Sequence, residues 1–255
     1  MALTINTNSS AATATMHLSK NNAALKKSLN RLSSGSRIVQ PVDDAGGLAV
    51  SMKLESSIVR LAGAQKNIAN AQSFLEVQDG ILSSAGKILN RMVELKGLSE
   101  DVMKNNSDKD NYNREFRDLQ LQIYDLAQVQ FNGVSLFAEF QADGTTQVKF
   151  NDTSNDNTLS VFASADGSSG PIVSINKAAL LSALTINAGT VATVQEFDDD
   201  DDTNIFSFAS QDTSEVFDLS EVSVAVFTQA IENIATLRAD NGGSMSRLRH
   251  AAEDV

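Results

Sequence analysis

From residue 43 to about residue 104 the chain carries a sustained heptad pattern and no proline. Leu54, Leu61, Ile68, Leu75, Leu82 and Leu89 fall seven residues apart, and Ala64, Ala71, Ala85 and Met92 sit three residues after four of them. This is an a/d seam with mostly small d residues, so a partner helix can approach closely. A second column, Phe74, Ile81, Ile88, Leu95 and Val102, joins partway along. Two adjacent columns make a stripe wider than a two-stranded coil needs, so the second half of this helix should touch neighbours on two sides. At ~1.5 Å per residue, sixty residues would reach roughly 90 Å. A rod of that length points to an assembly or structural protein before an enzyme.

Composition agrees with long helices. There are only 2 prolines, no tryptophan and 5% aromatic residues. The net charge of -12 and low pI argue against a nucleic-acid partner, and an anionic membrane should repel the chain as a whole. The absence of cysteine suits an exported bacterial protein. No run approaches the ~18 apolar residues of a membrane span. The first residues lack the basic region and apolar core of a cleavable signal peptide.

Residues 1–14 are small and polar and read as disordered when free. A helix follows from His17, with Leu18, Leu25, Leu29 and Leu32 on one face and Lys20, Lys26, Lys27 and Arg31 largely off it; Gly35 is its stop. Residues 36–42, with Pro41, form a linker. Asp43 and Asp44 offer N-cap oxygens to the long helix. That helix fades near Asn105–Asn106, and Ser107 with Asp110 resembles a capping box for the next one. Tyr112, Phe116, Leu119, Ile123 and Leu126 mark a second amphipathic helix that folds back antiparallel.

The period changes at Asn132–Gly133, a strong hairpin signal, and Val134–Phe140 is strand-like. Strands are expected at 147–150, 159–162, 191–195 and 205–208, turns at Asp143–Gly144 and Asp166–Gly167, and a short helix at 177–184. Helical patterning returns near Ser220, with Phe227, Ile231, Ile234, Met245, Leu248 and Ala252 on one face and Arg238 and Asn241 interrupting it. The fold class is therefore mainly α with a β-rich insertion: a long coiled-coil rod bundle carrying an outer β segment. The segments are 1–42, with the short amphipathic helix; 43–137, the rod; 138–217, the β-rich outer region; and 218–255, a returning rod helix that ends mid-pattern and reads as truncated.

Catalytic chemistry finds little footing. The only histidines, His17 and His250, lie far apart in sequence, and no zinc motif or phosphate-binding glycine loop occurs. No cofactor and no metal is expected. Asp198–Asp202 offers oxygen ligands for calcium, but without the glycine and spaced ligands of a calcium loop it reads as a solvated acidic stretch. The Leu18–Leu32 stripe and the surplus width of the long helix exceed what this chain can cover itself, and such faces mark association.

Several of these stretches resemble bacterial flagellin: Ile5-Asn6-Thr7-Asn8, the run Arg31-Leu32-Ser33-Ser34-Gly35-Ser36-Arg37-Ile38, and Asp43-Asp44-Ala45-Gly46-Gly47-Leu48-Ala49. Glu115-Phe116 with Leu119-Gln120, Gln130-Phe131-Asn132-Gly133, and Ile231–Arg238 with Arg247-Leu248 continue the likeness. The resemblance covers about half the chain and leaves the β segment unmatched. It implies a filament subunit of the bacterial flagellum that serves swimming motility and has no catalysis. It also implies type III export without cleavage, an extracellular location, and partners that include copies of itself, an export chaperone and cap or junction proteins. Leu18, Leu25, Leu29, Leu32, Leu54, Leu61 and Ile68 are the expected assembly residues. The resemblance further implies a patch for the innate immune receptor TLR5 at Arg91, Leu95 and Glu115, although Val93 stands where the family commonly has Arg. Flagellins normally continue beyond a position like Val255, so the tail helix that partners Leu18–Leu32 is expected to be missing. Two alternatives remain: a hook–filament junction protein, or a calcium- or glycan-binding module on the β insertion.

Overall fold

The computed structural model describes residues 8–139, 148–150, 157–187, 205–210 and 216–255. They form two compact units, residues 1–59 and residues 60–255. Among the described residues no helix is long and apolar enough to cross a membrane.

In the first unit, helix α1 runs Ser9–Ser34. Its start lies eight residues earlier than the leucine pattern predicts. The cause is Asn8, whose side chain accepts a hydrogen bond from the Ala11 amide at 3.2 Å and satisfies one of the orphan donors of the first turn. Residues 9–14 are therefore helical despite their small polar composition. Gly35 ends the helix in the left-handed conformation at φ 66°, which a Cβ would disfavour. No residue of α1 is buried.

Helix α2, Ala45–Ser99, is the heptad element. It stops five residues short of the predicted end, and residues 100–105 form a loop that exposes Val102 and Met103. Helix α3, Asn106–Ala127, opens on a capping box, but with Asn105 and Asp108 rather than Ser107 and Asp110. The Asn105 side chain accepts from the Asp108 amide at 2.8 Å, and Asp108 reaches back to the Asn105 amide at 3.3 Å. The motif type is the predicted one, displaced by two residues, because Asn caps as well as Ser.

At the end of α3 the short strands β1, Gln130–Phe131, and β2, Val134–Ser135, pair across Asn132 and Gly133 at φ 50° and 79°. Two successive positive φ values are the signature of a type I′ hairpin turn. Strand β2 ends at Ser135, short of the expected span, and Phe137 makes one isolated parallel bridge to Ala178. Strand β3, Thr158–Phe162, matches the prediction and pairs antiparallel with β4, Ile172–Asn176, which the sequence reading missed. Residues 148–150 are not strand. Asp166–Gly167 turns as predicted, with Gly167 at φ 60°. The predicted helix at 177–184 shrinks to α4, Leu180–Ala183. It leads into β5, Thr185–Asn187, which pairs antiparallel with β6, Ile205–Ser207. The predicted strand at 191–195, the turn at Asp143–Gly144 and the Asp198–Asp202 run lie outside the described residues.

Helix α5, Val224–Glu253, closes the second unit. Gly242 and Gly243 do not break it. Every residue at the two heptad columns from Phe227 to Leu248 is buried: Phe227, Ile234, Asn241 and Leu248 in one, Ala230, Leu237 and Ser244 in the other. Asn241 donates to the Leu75 carbonyl at 2.9 Å, Arg238 pairs with Asp79, and a Cβ on Gly86 would lie 3.8 Å from Ile234. As α2 numbers rise, α5 numbers fall, so the two helices run antiparallel. Helix α3 returns along α2 in the same sense, with Arg91 meeting Glu115 and Gln78 meeting Leu136. The core of this unit joins α2 from Ile68 onward with α3, the small strands, α4 and α5. Phe227 sits at its centre, edge-on to Phe116 at 6.0 Å and beside Phe208 at 4.8 Å.

Candidate assembly surface

The first unit is built around an elbow between α1 and α2. The Asp43 carboxylate ties back to α1 through Lys27, with Arg31 3.7 Å away, and accepts from the Val39 amide at 3.5 Å. The Lys27 hydrogen bond is the main cause that holds the Asp43 carboxyl below its ordinary range. The next residue does separate work. Asp44 Oδ1 accepts from the Gly47 amide at 2.8 Å and caps the first turn of α2. Gly47 has to be glycine for this, since a Cβ there would run into the Asp44 carboxylate and come within 3.1 Å of Ile38 Cδ1. The Asp-Asp-Ala-Gly-Gly run thus encodes one tether, one cap and the room for that cap.

Away from the elbow the unit presents apolar side chains to solvent. Leu18 is 63% exposed, and Leu25, Leu29 and Leu32 are also exposed. At about 100° per residue these four fall on one side of α1. On the first turns of α2, Val50, Met52, Leu54, Ile58 and Val59 are exposed as well, Leu54 at 59%.

Of the expected assembly residues, six are accessible: the four α1 leucines, Leu54, and the half-buried Leu61. The seventh is a correction. Ile68 is only 1% exposed and belongs to the core of the second unit, so it has no surface to offer a neighbour. The heptad position is the same as that of Leu54; what differs is that the chain's own elements reach Ile68.

The Arg91 group is also partly corrected. Arg91 binds Glu115 through two parallel hydrogen bonds, Nε to Oε1 at 2.6 Å and Nη2 to Oε2 at 3.1 Å, and donates Nη1 to Glu94 at 2.8 Å. These carboxylates, Glu115 first, raise the guanidinium above its already high ordinary value. Arg91 and Glu115 stay accessible, but Leu95 is 0% exposed. Its place in the second heptad column turns it into the core of the bundle. Among the described residues no group of three acidic or histidine side chains is placed to hold a metal.

One polar group escaped the sequence reading altogether. The turn-containing segment just before α5 is gripped by side chains of two helices. Gln120 pairs with the Phe217 backbone both ways, accepting from its amide at 3.0 Å and donating to its carbonyl at 2.9 Å. Asn113 accepts from the Leu219 amide at 2.8 Å, and the buried Lys96 donates to the Leu219 carbonyl at 3.0 Å. Asn113 and Arg117 both bind the Asp218 carboxylate, which holds it below its ordinary range, Asn113 being the larger cause. The available signal was Lys96 standing in a buried column of α2. A polar residue at such a position implies a backbone partner.

The profile of the bacterial flagellin N-terminal helical region matches residues 5–142. The chain belongs to the flagellin family. Flagellin from Listeria innocua is 30% identical over 254 residues, covering 98% of this chain and 80% of that one. Flagellin from Bacillus subtilis is 30% identical over 258 residues, covering 98% and 81%. A flagellar filament core protein of Treponema maltophilum is 37% identical over 133 residues, covering 52% of this chain and 47% of that one. The crystal structure of Bacillus cereus flagellin aligns at 22% identity with a TM-score of 0.48, covering 75% of this chain and 89% of that one. This flagellin is a structural subunit of the flagellar filament. Its helical frame and small β region fit the fold class read from the sequence.

Proposed function

We propose that this flagellin polymerises by burying the stripe Leu18, Leu25, Leu29, Leu32, Leu54 and Leu61 against neighbouring copies, in a filament outside the cell. The observation that carries the reading is the seam itself. The apolar heptad of α2 runs through both units, yet among the described residues its first part stays exposed and no residue of α1 is buried. Burying the four α1 leucines is worth about 6–12 kcal/mol gross. Association costs about 4–15 kcal/mol. A single α1 contact is therefore near balance, and stable growth needs several such contacts per subunit, as in an open helical polymer of heterologous contacts. Export through the flagellar type III route, and contacts with a chaperone and cap or junction proteins, rest on the likeness to flagellins.

The test is the double variant Leu25→Ser/Leu29→Ser. Both side chains are exposed in the monomer, so its helix content and melting should match the parent. Sedimentable polymer should be lost. Normal filament growth by this variant would overturn the reading.

A further inference from the structure

The chain contains two Asn-Gly pairs, Asn132–Gly133 and Asn241–Gly242, and the fold holds them in opposite states. An asparagine before glycine is open to attack by the next backbone nitrogen, because glycine has no Cβ to shield that nitrogen or to restrict rotation. Asn132 and Gly133 are the two exposed residues of the β1–β2 turn. Among the described residues, neither the Asn132 side chain nor the Gly133 amide makes a hydrogen bond. A Cβ on Gly133 would meet nothing within 4 Å, so the approach to its nitrogen is clear. The flanking ladder is only two residue pairs long, Gln130 with Ser135 and Phe131 with Val134. A ladder that short opens locally at small cost. Asn241, by contrast, is 4% exposed, and its Nδ2 donates to the Leu75 carbonyl at 2.9 Å. Gly242 lies inside α5, where its amide belongs to the helical ladder.

We propose that Asn132 is a self-modification site, converted in the folded protein to aspartate and isoaspartate, while Asn241 is preserved. The turn first opens, and Asn132 leaves its left-handed conformation at φ 50°. The Gly133 nitrogen gives its proton to water or hydroxide and attacks Asn132 Cγ. A C–N bond forms there, the bond from Cγ to Nδ2 breaks, and Nδ2 takes up a proton and leaves as ammonia. Water then adds to one of the two carbonyls of the resulting imide ring and breaks its bond to nitrogen. Opening at Cγ gives aspartate in an ordinary backbone. Opening at the main-chain carbonyl gives isoaspartate, with the backbone routed through Cγ. Either product places a carboxylate beside Phe131, whose ring stands edge-on to Phe74 at 6.0 Å. Isoaspartate also lengthens a two-residue loop whose turn type has no room for an extra atom, so the Phe131–Phe74 contact should loosen. This chemistry involves neither α1 nor the leucine stripe, so it stands apart from the assembly reading.

The test is incubation of the unmodified chain in mildly alkaline buffer, folded and in urea, followed by peptide mapping. Mass spectrometry reads the amide-to-acid gain at each asparagine, and enzymatic methyl labelling reads isoaspartate. In the folded protein Asn132 should react at least about ten-fold faster than Asn241, because a turn opens locally while Asn241 is released only when the bundle opens. In urea the difference should vanish, which assigns it to the fold and not to the neighbouring residues. An Asn132 that stays intact in the folded protein overturns the proposal. So does a folded-state advantage below about ten-fold, or an advantage of that size that persists in urea.

Discussion

The two compact units share one heptad but use it in opposite ways. Leu54 and Ile68 occupy the same column of α2, two heptads apart, yet Leu54 is 59% exposed and Ile68 only 1%. In residues 60–255 the column meets α3, α5 and the small strands, and from Ile68 it is core. In residues 1–59 no residue of the neighbouring helix is buried, and the same residue types face solvent. An a/d pattern therefore specifies that a helix face will be covered, but not by whom. Where the described residues supply the cover, the pattern makes a domain; where they do not, it leaves the face to which the proposed polymer contact is assigned.

That comparison can be broken most directly at two leucines. Leu82→Ala, in the fully buried part of the seam, should cost about 2–5 kcal/mol in urea unfolding. Leu25→Ala, on exposed α1, should change monomer stability by no more than about 0.5 kcal/mol. If the two cost the same, the distinction between an internal and an intermolecular seam is wrong.

A smaller effect sharpens how the second unit closes its bundle. Gln120→Ala removes both bonds to the Phe217 backbone, which should cost about 1–3 kcal/mol in all. Amide exchange should locate the loss at residues 216–223, ahead of α5. Uniform loss across α2 and α3 would mean that Gln120 acts as general packing, not as a clasp.

The smallest effect belongs to the elbow of the first unit. The folded value of Asp43 is lowered, so its tether stabilises above the ordinary carboxylate value. The tether is lost as pH falls through the lowered folded value. The Asp43 carboxyl and the Val39 amide should therefore titrate together by NMR, below the range of a free aspartate. In Asp43→Asn the Val39 signal should be flat over that range. A Val39 amide that still titrates there in the variant would assign the transition to another group.

Legibility followed how local each determinant was. Gly35, Asp44 with Gly47, and Asn132–Gly133 act within four residues, and each was readable as a stop, a cap or a turn. The leucine pattern begins the first helix at His17, whereas its true cap, Asn8, precedes a stretch with no large apolar residue. The capping box was placed two residues late because two overlapping pairs, Asn105/Asp108 and Ser107/Asp110, satisfy the same rule. Strand β4 carries β-branched residues, Ile172, Val173 and Ile175, but not the apolar/polar alternation that marks a half-buried strand. The Gln120, Asn113 and Lys96 clasp spans 97 to 123 residues of separation and leaves only misplaced polar residues in sequence.

The sequence by itself determined the long apolar seam, the helix ends and turns, the flagellin likeness, and hence a protein that works by association. Periodicity and capping are short-range properties, so they survive in a one-dimensional reading. Only the tertiary structure decided where the seam passes from open to covered, that Ile68 and Leu95 are inside, and that Arg91 is bound to Glu115. Burial depends on which distant segments reach a given face, and no local pattern records that.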